Sequence, residues 1–116
     1  MSLVVWFDLP VRDLDRAIAF YSAVLGQPVQ REDYPNMSVG LLPQEDGEPG
    51  GCLFVGEVAE NGPLLYFSVD GGLDRAIMMA ESYGGEILEP KHQIGAHGFR
   101  AVVRDSEGNR IALHSH

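Results

Sequence analysis

Five side chains of this sequence have the chemistry to act together on a small molecule: Trp6, Asp8, Tyr66, Arg100 and His114. A carboxylate with an imidazole is a common pair for moving a proton, the acid orienting the ring and the ring titrating near neutrality. Asp8 and His114 are therefore the candidate catalytic residues, with His114 as general base or acid. Arg100 offers a planar fork of N–H donors to an anionic group. Trp6 and Tyr66 offer large rings on which a planar or apolar molecule can stack. These last three are the candidate substrate-binding residues.

Strand parity is what brings such distant residues onto one surface, because alternate side chains of a strand point to opposite faces. Val5, Phe7 and Leu9 form an apolar set suited to packing under a helix, which turns Trp6, Asp8 and Pro10 to the other face. Leu65, Phe67 and Val69 do the same for Leu64, Tyr66 and Ser68. Phe99, Ala101 and Val103 pack inward and leave Arg100 and Arg104 outward, and Ile111 and Leu113 leave Arg110, Ala112 and His114. The outward face is thus both aromatic and polar, the usual make-up of a ligand pocket. A subunit interface uses similar residues. Asp8 and Arg100 also suit a plain ion pair with no catalytic task, His114 then being a surface residue near the end of the chain. Cys52 carries the parity of the helix-packed side and reads as a buried small hydrophobe.

The elements that must position these groups come in two copies. Leu14-Asp15-Arg16-Ala17-Ile18 recurs as Leu73-Asp74-Arg75-Ala76-Ile77, an offset of 59 residues that also carries Gly26 onto Gly85. Each copy follows an apolar strand, Val5 to Val11 and Leu64 to Val69. The first helix starts at Asp13 as N-cap, shows the stripe Leu14, Ile18, Tyr21 and Leu25, and ends at Gly26. The second carries Leu73, Ile77 and Ala80 and stops at Gly84-Gly85. A short strand follows each helix, near Pro28 and Gly85. Two more complete each half: Met37 to Leu42 and Gly51 to Val55, then Gly98 to Arg104 and Asn109 to His114. Pro43 to Gly50 reads as an exposed hairpin loop, Asp105 to Asn109 as a tight turn, and Gly56 to Pro63 as the connection between halves. The pattern predicts a single α+β domain over 1–116 made of two βαβββ modules, about 3–56 and 63–116.

Composition narrows the partners. Eight Lys and Arg against 17 Asp and Glu give a formal charge of −9, which repels a phosphate backbone or an anionic membrane. Neither nucleic acid nor membrane is expected. A lone cysteine, no long apolar run and no secretory leader in the first 30 residues point to the cytoplasm.

The strand Trp6-Phe7-Asp8-Leu9-Pro10-Val11 with Asp13-Leu14-Asp15-Arg16-Ala17 and Phe20-Tyr21, and the close Asp105 to Asn109 with Arg110-Ile111-Ala112-Leu113, resemble the vicinal-oxygen-chelate superfamily of glyoxalases, bleomycin-resistance proteins and extradiol dioxygenases. The resemblance spans nearly the whole chain. It implies two modules whose mixed sheets curl around a cavity, often in a homodimer. In the family's metal enzymes, ligands sit early in the first strand of each module and late in the last. Those places fall here on Trp6, Leu64 and Ala112, or on Leu65 if the second module slips by the extra residue Gly71 or Gly72. None of these side chains can bind a metal, so no cofactor is expected.

Two function classes fit. One is a metal-free acid–base enzyme using Asp8 and His114; the other is a binder that sequesters a small organic molecule, with Trp6 and Tyr66 stacking on it. A relocated site for Mn²⁺, Fe²⁺, Zn²⁺ or Ni²⁺ is the alternative, built on Asp8 and His114 with His92, His97, His116 or Glu57 as third ligand. It would make the protein a metal-dependent lyase, isomerase or dioxygenase. The glycine-punctuated segment Ile94 to Gly98 is placed to cover the mouth of the pocket.

Overall fold

A computed structural model of the chain describes residues 3–59 and 61–116. Its elements run β1 (Trp6–Val11), α1 (Leu14–Leu25), β2 (Gln30–Tyr34), β3 (Met37–Leu41), β4 (Gly50–Val55), β5 (Leu65–Ser68), α2 (Leu73–Ser82), β6 (Glu86–Gln93), β7 (Phe99–Arg104) and β8 (Arg110–Ser115), with a short 3₁₀ turn at Gly95–His97. The α+β class and the two βαβββ modules are as the sequence predicts. Each module forms a four-stranded sheet, ordered β1-β4-β3-β2 and β5-β8-β7-β6. The pairs β1/β4 and β5/β8 are parallel and the others antiparallel, so both sheets are mixed. The two sheets do not close on one another, and the spaces on their faces are open clefts. Among the described residues no helix is long and apolar enough to cross a membrane.

The two modules share one core, because neither half alone can cover the apolar side of its sheet. Val11, Leu53, Ile111 and Leu113 from the sheets meet Ala17, Phe20, Tyr21, Val24 and Ala76 from the helices, all buried. Phe7 and Phe67, at matching places in the two modules, meet edge to face with centroids 5.9 Å apart, and Tyr21 packs on Phe67 at 5.5 Å. Gly51 sits opposite Phe7 in the β1/β4 register, where a Cβ would lie 2.6 Å from the ring. The missing side chain is what lets the Phe7 ring lie over β4.

Some local expectations shift. The buried stripe of α1 is Leu14, Ala17, Phe20, Tyr21 and Val24, while Ile18 and Leu25 are only partly buried; the helix is turned about one residue from the expected face. Asp13 caps it by accepting from the Arg16 N–H, and Gly26 takes the left-handed cap with φ 71°. In the second module the left-handed residue is Gly84, at φ 94°, rather than Gly85, because α2 has 10 residues against 12 in α1. Val5, expected under the helix, precedes β1 and is exposed, as is Phe99.

The turn Asp105 to Asn109 is not a simple surface connection. Asp105, Glu107 and Asn109 are buried and tie the second module to the first. Asp105 accepts the Tyr21 hydroxyl at 2.5 Å and the backbone N–H groups of Glu107 and Asn109, both at 2.8 Å. Asn109 donates to the Pro10 carbonyl at 2.8 Å. Glu107 accepts from the N–H groups of Arg12 and Asp13 at the entry to α1 and from the Arg16 guanidinium. Burial desolvates and raises the Tyr21 phenol, and the neighbouring Asp105 carboxylate raises it further, to well above its ordinary value.

Candidate functional site

The outward face of the second sheet gathers three of the five candidate residues. Arg100 and His114 are register partners on β7 and β8, and Tyr66 stands beside them on β5. The Tyr66 and His114 rings meet edge to face at 6.4 Å. Together with Ile94 and His97 these three line an open cleft of about 500 Å³.

Arg100 is held from several sides. Its Nη1 donates to the Tyr66 hydroxyl, its Nε donates to His92 Nε2 at 3.0 Å, and its Nη2 lies 3.8 Å from the Glu89 carboxylate. The Pro90 carbonyl, 2.8 Å from His92 Nδ1, can only accept, so the His92 proton sits on Nδ1 and leaves Nε2 to receive Arg100. A guanidinium has five N–H groups, so donors remain for a ligand. The Tyr66 hydroxyl accepts from Arg100 and keeps its own proton to donate outward. Tyr66 is 50% exposed, so its hydroxyl is open to a ligand.

His114 Nε2 lies 2.5 Å from the carbonyl of His97. The carbonyl is an acceptor, so the ring proton is on Nε2 and the lone pair is on Nδ1. The segment Ile94 to Gly98 closes on itself through the Ile94 N–H to the Gly98 carbonyl at 2.8 Å and the His97 N–H to the Ile94 carbonyl at 3.2 Å. It stands as one wall of the cleft, through Ile94 and His97.

Trp6 and Asp8 lie elsewhere, on the first sheet. Trp6 Nε1 donates to Asp8 Oδ1 at 3.0 Å, and the Cys52 thiol donates to the same oxygen at 3.1 Å. Asp8 lines a separate cleft of about 200 Å³ with Pro10, Pro63 and Arg110. The ion pair of Asp8 with Arg100 therefore does not form; Arg100 has Glu89 instead. Within one chain Asp8 does not orient His114, whose ring is held by His97. Cys52 is also on the other side from the one expected. It pairs with Asp8 in the β1/β4 register, and parallel partners share a face. Burial, then the Asp8 carboxylate, push its thiol up to about 11, so it is no nucleophile.

Sequence reasoning missed Glu89 and His92 as the groups that seat Arg100. Two irregularities in the β6/β7 register, between Ile87 and Glu89 and between Glu89 and His92, break the alternation by which parity would have found them.

The places where the family's metal enzymes carry ligands do not fit a metal. Trp6 has only an N–H, already given to Asp8, and Leu64 and Ala112 have no lone pairs. Asp8 and His114 belong to different sheets, and the one group of ligand-capable atoms found together among the described residues has His114 without Asp8.

The first module matches a family described as bleomycin resistance protein-like N-terminal, over residues 4–40. A comparison with curated proteins by sequence gives no match. Among solved structures, a glyoxalase/bleomycin resistance protein from Albidiferax ferrireducens T118 superimposes with a TM-score of 0.77 at 20% identity, covering 99% of each chain. A glyoxalase/bleomycin resistance protein/dioxygenase family enzyme from Burkholderia phytofirmans PsJN gives 0.74 at 20% identity over 96% of each chain. A superfamily member from Sphaerobacter thermophilus DSM 20745 gives 0.69 at 17% identity, over 100% of this chain and 98% of that one. The chain thus has the fold of the glyoxalase/bleomycin-resistance/dioxygenase proteins, and its resemblance to the vicinal-oxygen-chelate superfamily is supported by both the family match and the fold.

Proposed function

We propose that the protein binds a small organic anion, a carboxylate attached to a planar or apolar body, in the cleft of Tyr66, Arg100 and His114, without a metal at the family's usual positions. The observation that carries this reading is Arg100: a guanidinium fixed by His92 and Tyr66 and only partly neutralised by Glu89 at 3.8 Å. Its remaining donors face a cleft walled by Ile94 and the Tyr66 ring. A fixed donor fork beside an apolar wall recognises a carboxylate and its hydrocarbon body together.

Binding fits the geometry better than proton transfer by an Asp8–His114 pair. The one observation that favours catalysis is the Nδ1 lone pair of His114, set by the His97 carbonyl, which makes His114 alone the candidate base. Trp6 and Asp8 enter the site only if two copies assemble. Trp6 is 44% exposed on the outward face of the first sheet, and in a homodimer that face can close the cleft of the other copy. The lone cysteine favours a reducing compartment, such as the cytoplasm.

Calorimetric titration with matched pairs, an aryl carboxylate and its neutral amide, tests the reading, with light scattering to give the number of copies. The carboxylate is expected to bind more tightly, and Arg100→Met to weaken it by about 10- to 100-fold, the worth of one charge-assisted bond pair. Equal affinity for acid and amide, or an unaltered Kd in Arg100→Met, sinks the proposal.

A further inference from the structure

At the end of β8, beside the cleft and sharing His114 with it, a second constellation appears. Asp70, His114 and His116 each bring one ligand-capable atom within 4.8 Å of the others. We propose that these three residues form a binding site for a borderline divalent cation such as Zn²⁺ or Ni²⁺, at a place the family's metal enzymes do not use.

The strands account for the meeting. His114 and His116 are two residues apart and project to the same side, with ring centroids 5.0 Å apart. The parallel pairing of β5 with β8 aligns Ser68 with His114 and so carries Asp70 to His116, whose N–H donates to Asp70 Oδ1 at 3.0 Å. That bond fixes the carboxylate and leaves its other oxygen free.

An independent contact points to a ligand. The His97 carbonyl takes the Nε2 proton of His114. A metal-binding imidazole typically gives its other N–H to a carbonyl or carboxylate, which fixes the tautomer and the ring angle. His114 has that partner, and its free lone pair is on Nδ1. Two imidazoles and one carboxylate suit Zn²⁺ or Ni²⁺ and disfavour Mg²⁺ and Ca²⁺, which prefer all-oxygen shells. Donors about 2.1 Å from a tetrahedral ion stand about 3.4 Å apart. His116 and Asp70 are exposed and have the rotamer freedom to close that gap. Two neighbouring cations have partners of their own, Arg100 with His92, Tyr66 and Glu89, and Lys91 with Asp74 at 3.2 Å, while Arg75 shares a surface pocket with Lys91 and His116.

The site shares His114 with the anion cleft but does not depend on that reading. Tag-free protein, treated with chelator and dialysed, is titrated with ZnCl₂ and with NiCl₂ by calorimetry, and the histidine ¹⁵N shifts are followed by NMR. The expected result is saturable 1:1 binding with a shift at His114 Nδ1. Asp70→Asn and His116→Gln should each weaken it by about 100-fold or more, since even an outer-shell partner is worth 10- to 100-fold. Arg100→Met, which removes a positive charge beside His114, should not weaken it. No saturable binding to the folded protein, or binding indifferent to both Asp70→Asn and His116→Gln, overturns the proposal. Carboxylate binding that survives in that case keeps the anion reading alive, and metal binding without carboxylate binding does the reverse.

Discussion

Replacing Glu107 by Gln should cost this protein about 3 kcal/mol at neutral pH, and that cost should fade as the pH falls. The side chain of Glu107 is fully buried, with 0% exposure, against 51% for its partner Arg16. Its Oε1 accepts from the Arg12 N–H at 2.9 Å, the Asp13 N–H at 2.8 Å and Arg16 Nη2 at 2.8 Å; its Oε2 accepts from Arg16 Nε at 2.7 Å and the Ser106 hydroxyl at 2.8 Å. Burial on its own raises this carboxyl. The bonds from Arg16, the Asp13 N–H, Ser106 and the Arg12 N–H outweigh it and bring the group from 4.5 to about 2. That difference corresponds to about 3 kcal/mol of folding free energy, and because Arg16 is half-exposed and screened, about 2 kcal/mol is the fair share. The Gln amide adds about 1 kcal/mol by turning an NH₂ toward donors that need an acceptor. Because the folded carboxyl is depressed, its contribution is complete above about pH 4.5 and is lost as the pH falls through about 2. Urea unfolding of wild type and Glu107→Gln, repeated between neutral pH and about pH 3, measures the difference free of other titrating groups. The gap should shrink by about 1 kcal/mol, to about 2 kcal/mol, at the acid end. A variant within about 0.5 kcal/mol of wild type at neutral pH, or a gap that does not change with pH, refutes the reasoning.

Two other outcomes follow from the same structure. Cys52 should react with iodoacetamide at pH 8 about 100-fold more slowly than in the unfolded chain, because its thiol is raised from 9.0 to about 11, and Asp8→Asn should speed it up by removing the neighbouring charge; equal native and unfolded rates would contradict the burial argument. Gly98→Ala should destabilise by about 2 kcal/mol or more in a thermal melt, since φ is 94° and the added Cβ would lie 2.4 Å from the Ser115 carbonyl oxygen; a melt unchanged from wild type would show that the end of β8 yields easily.

The fold was legible because its two largest signals are periodic. The repeated Leu-Asp-Arg-Ala-Ile segment and the alternation of Phe7-Leu9 and Phe67-Val69 each predict one element and one face, and both are found in place. The candidate site was legible only by halves. Parity correctly put Tyr66, Arg100 and His114 on one face, but it is a rule within a sheet and cannot say whether two sheets meet, so Asp8 and Trp6 were joined to a cleft they do not line. The buried turn was missed for a different reason. Asp, Ser, Glu, Gly and Asn in a row are the ordinary composition of a solvated turn, and nothing local signals that the donors for Glu107 come from residues 12 to 16.

The joint and the cleft stand at opposite ends of one hairpin, so each can be perturbed without the other. Asp105 follows β7 and Arg110 begins β8 at the joint, whereas Arg100 and His114 pair near the other end. Four residues of strand separate them, about 13 Å, beyond the range at which independent sites normally couple. The hairpin between is rigid: Ala101, Val102, Val103, Ile111, Ala112 and Leu113 are all buried. Loosening the joint therefore lowers the stability of the whole while leaving the cleft's shape in the folded fraction intact. Glu107→Gln should lose its 3 kcal/mol and still bind an aryl carboxylate with the wild-type Kd under native conditions. If the Kd weakens in step with stability, Arg100 is not seated by His92 and Tyr66 alone, and the cleft must draw part of its geometry from the way the first module is clamped to the second.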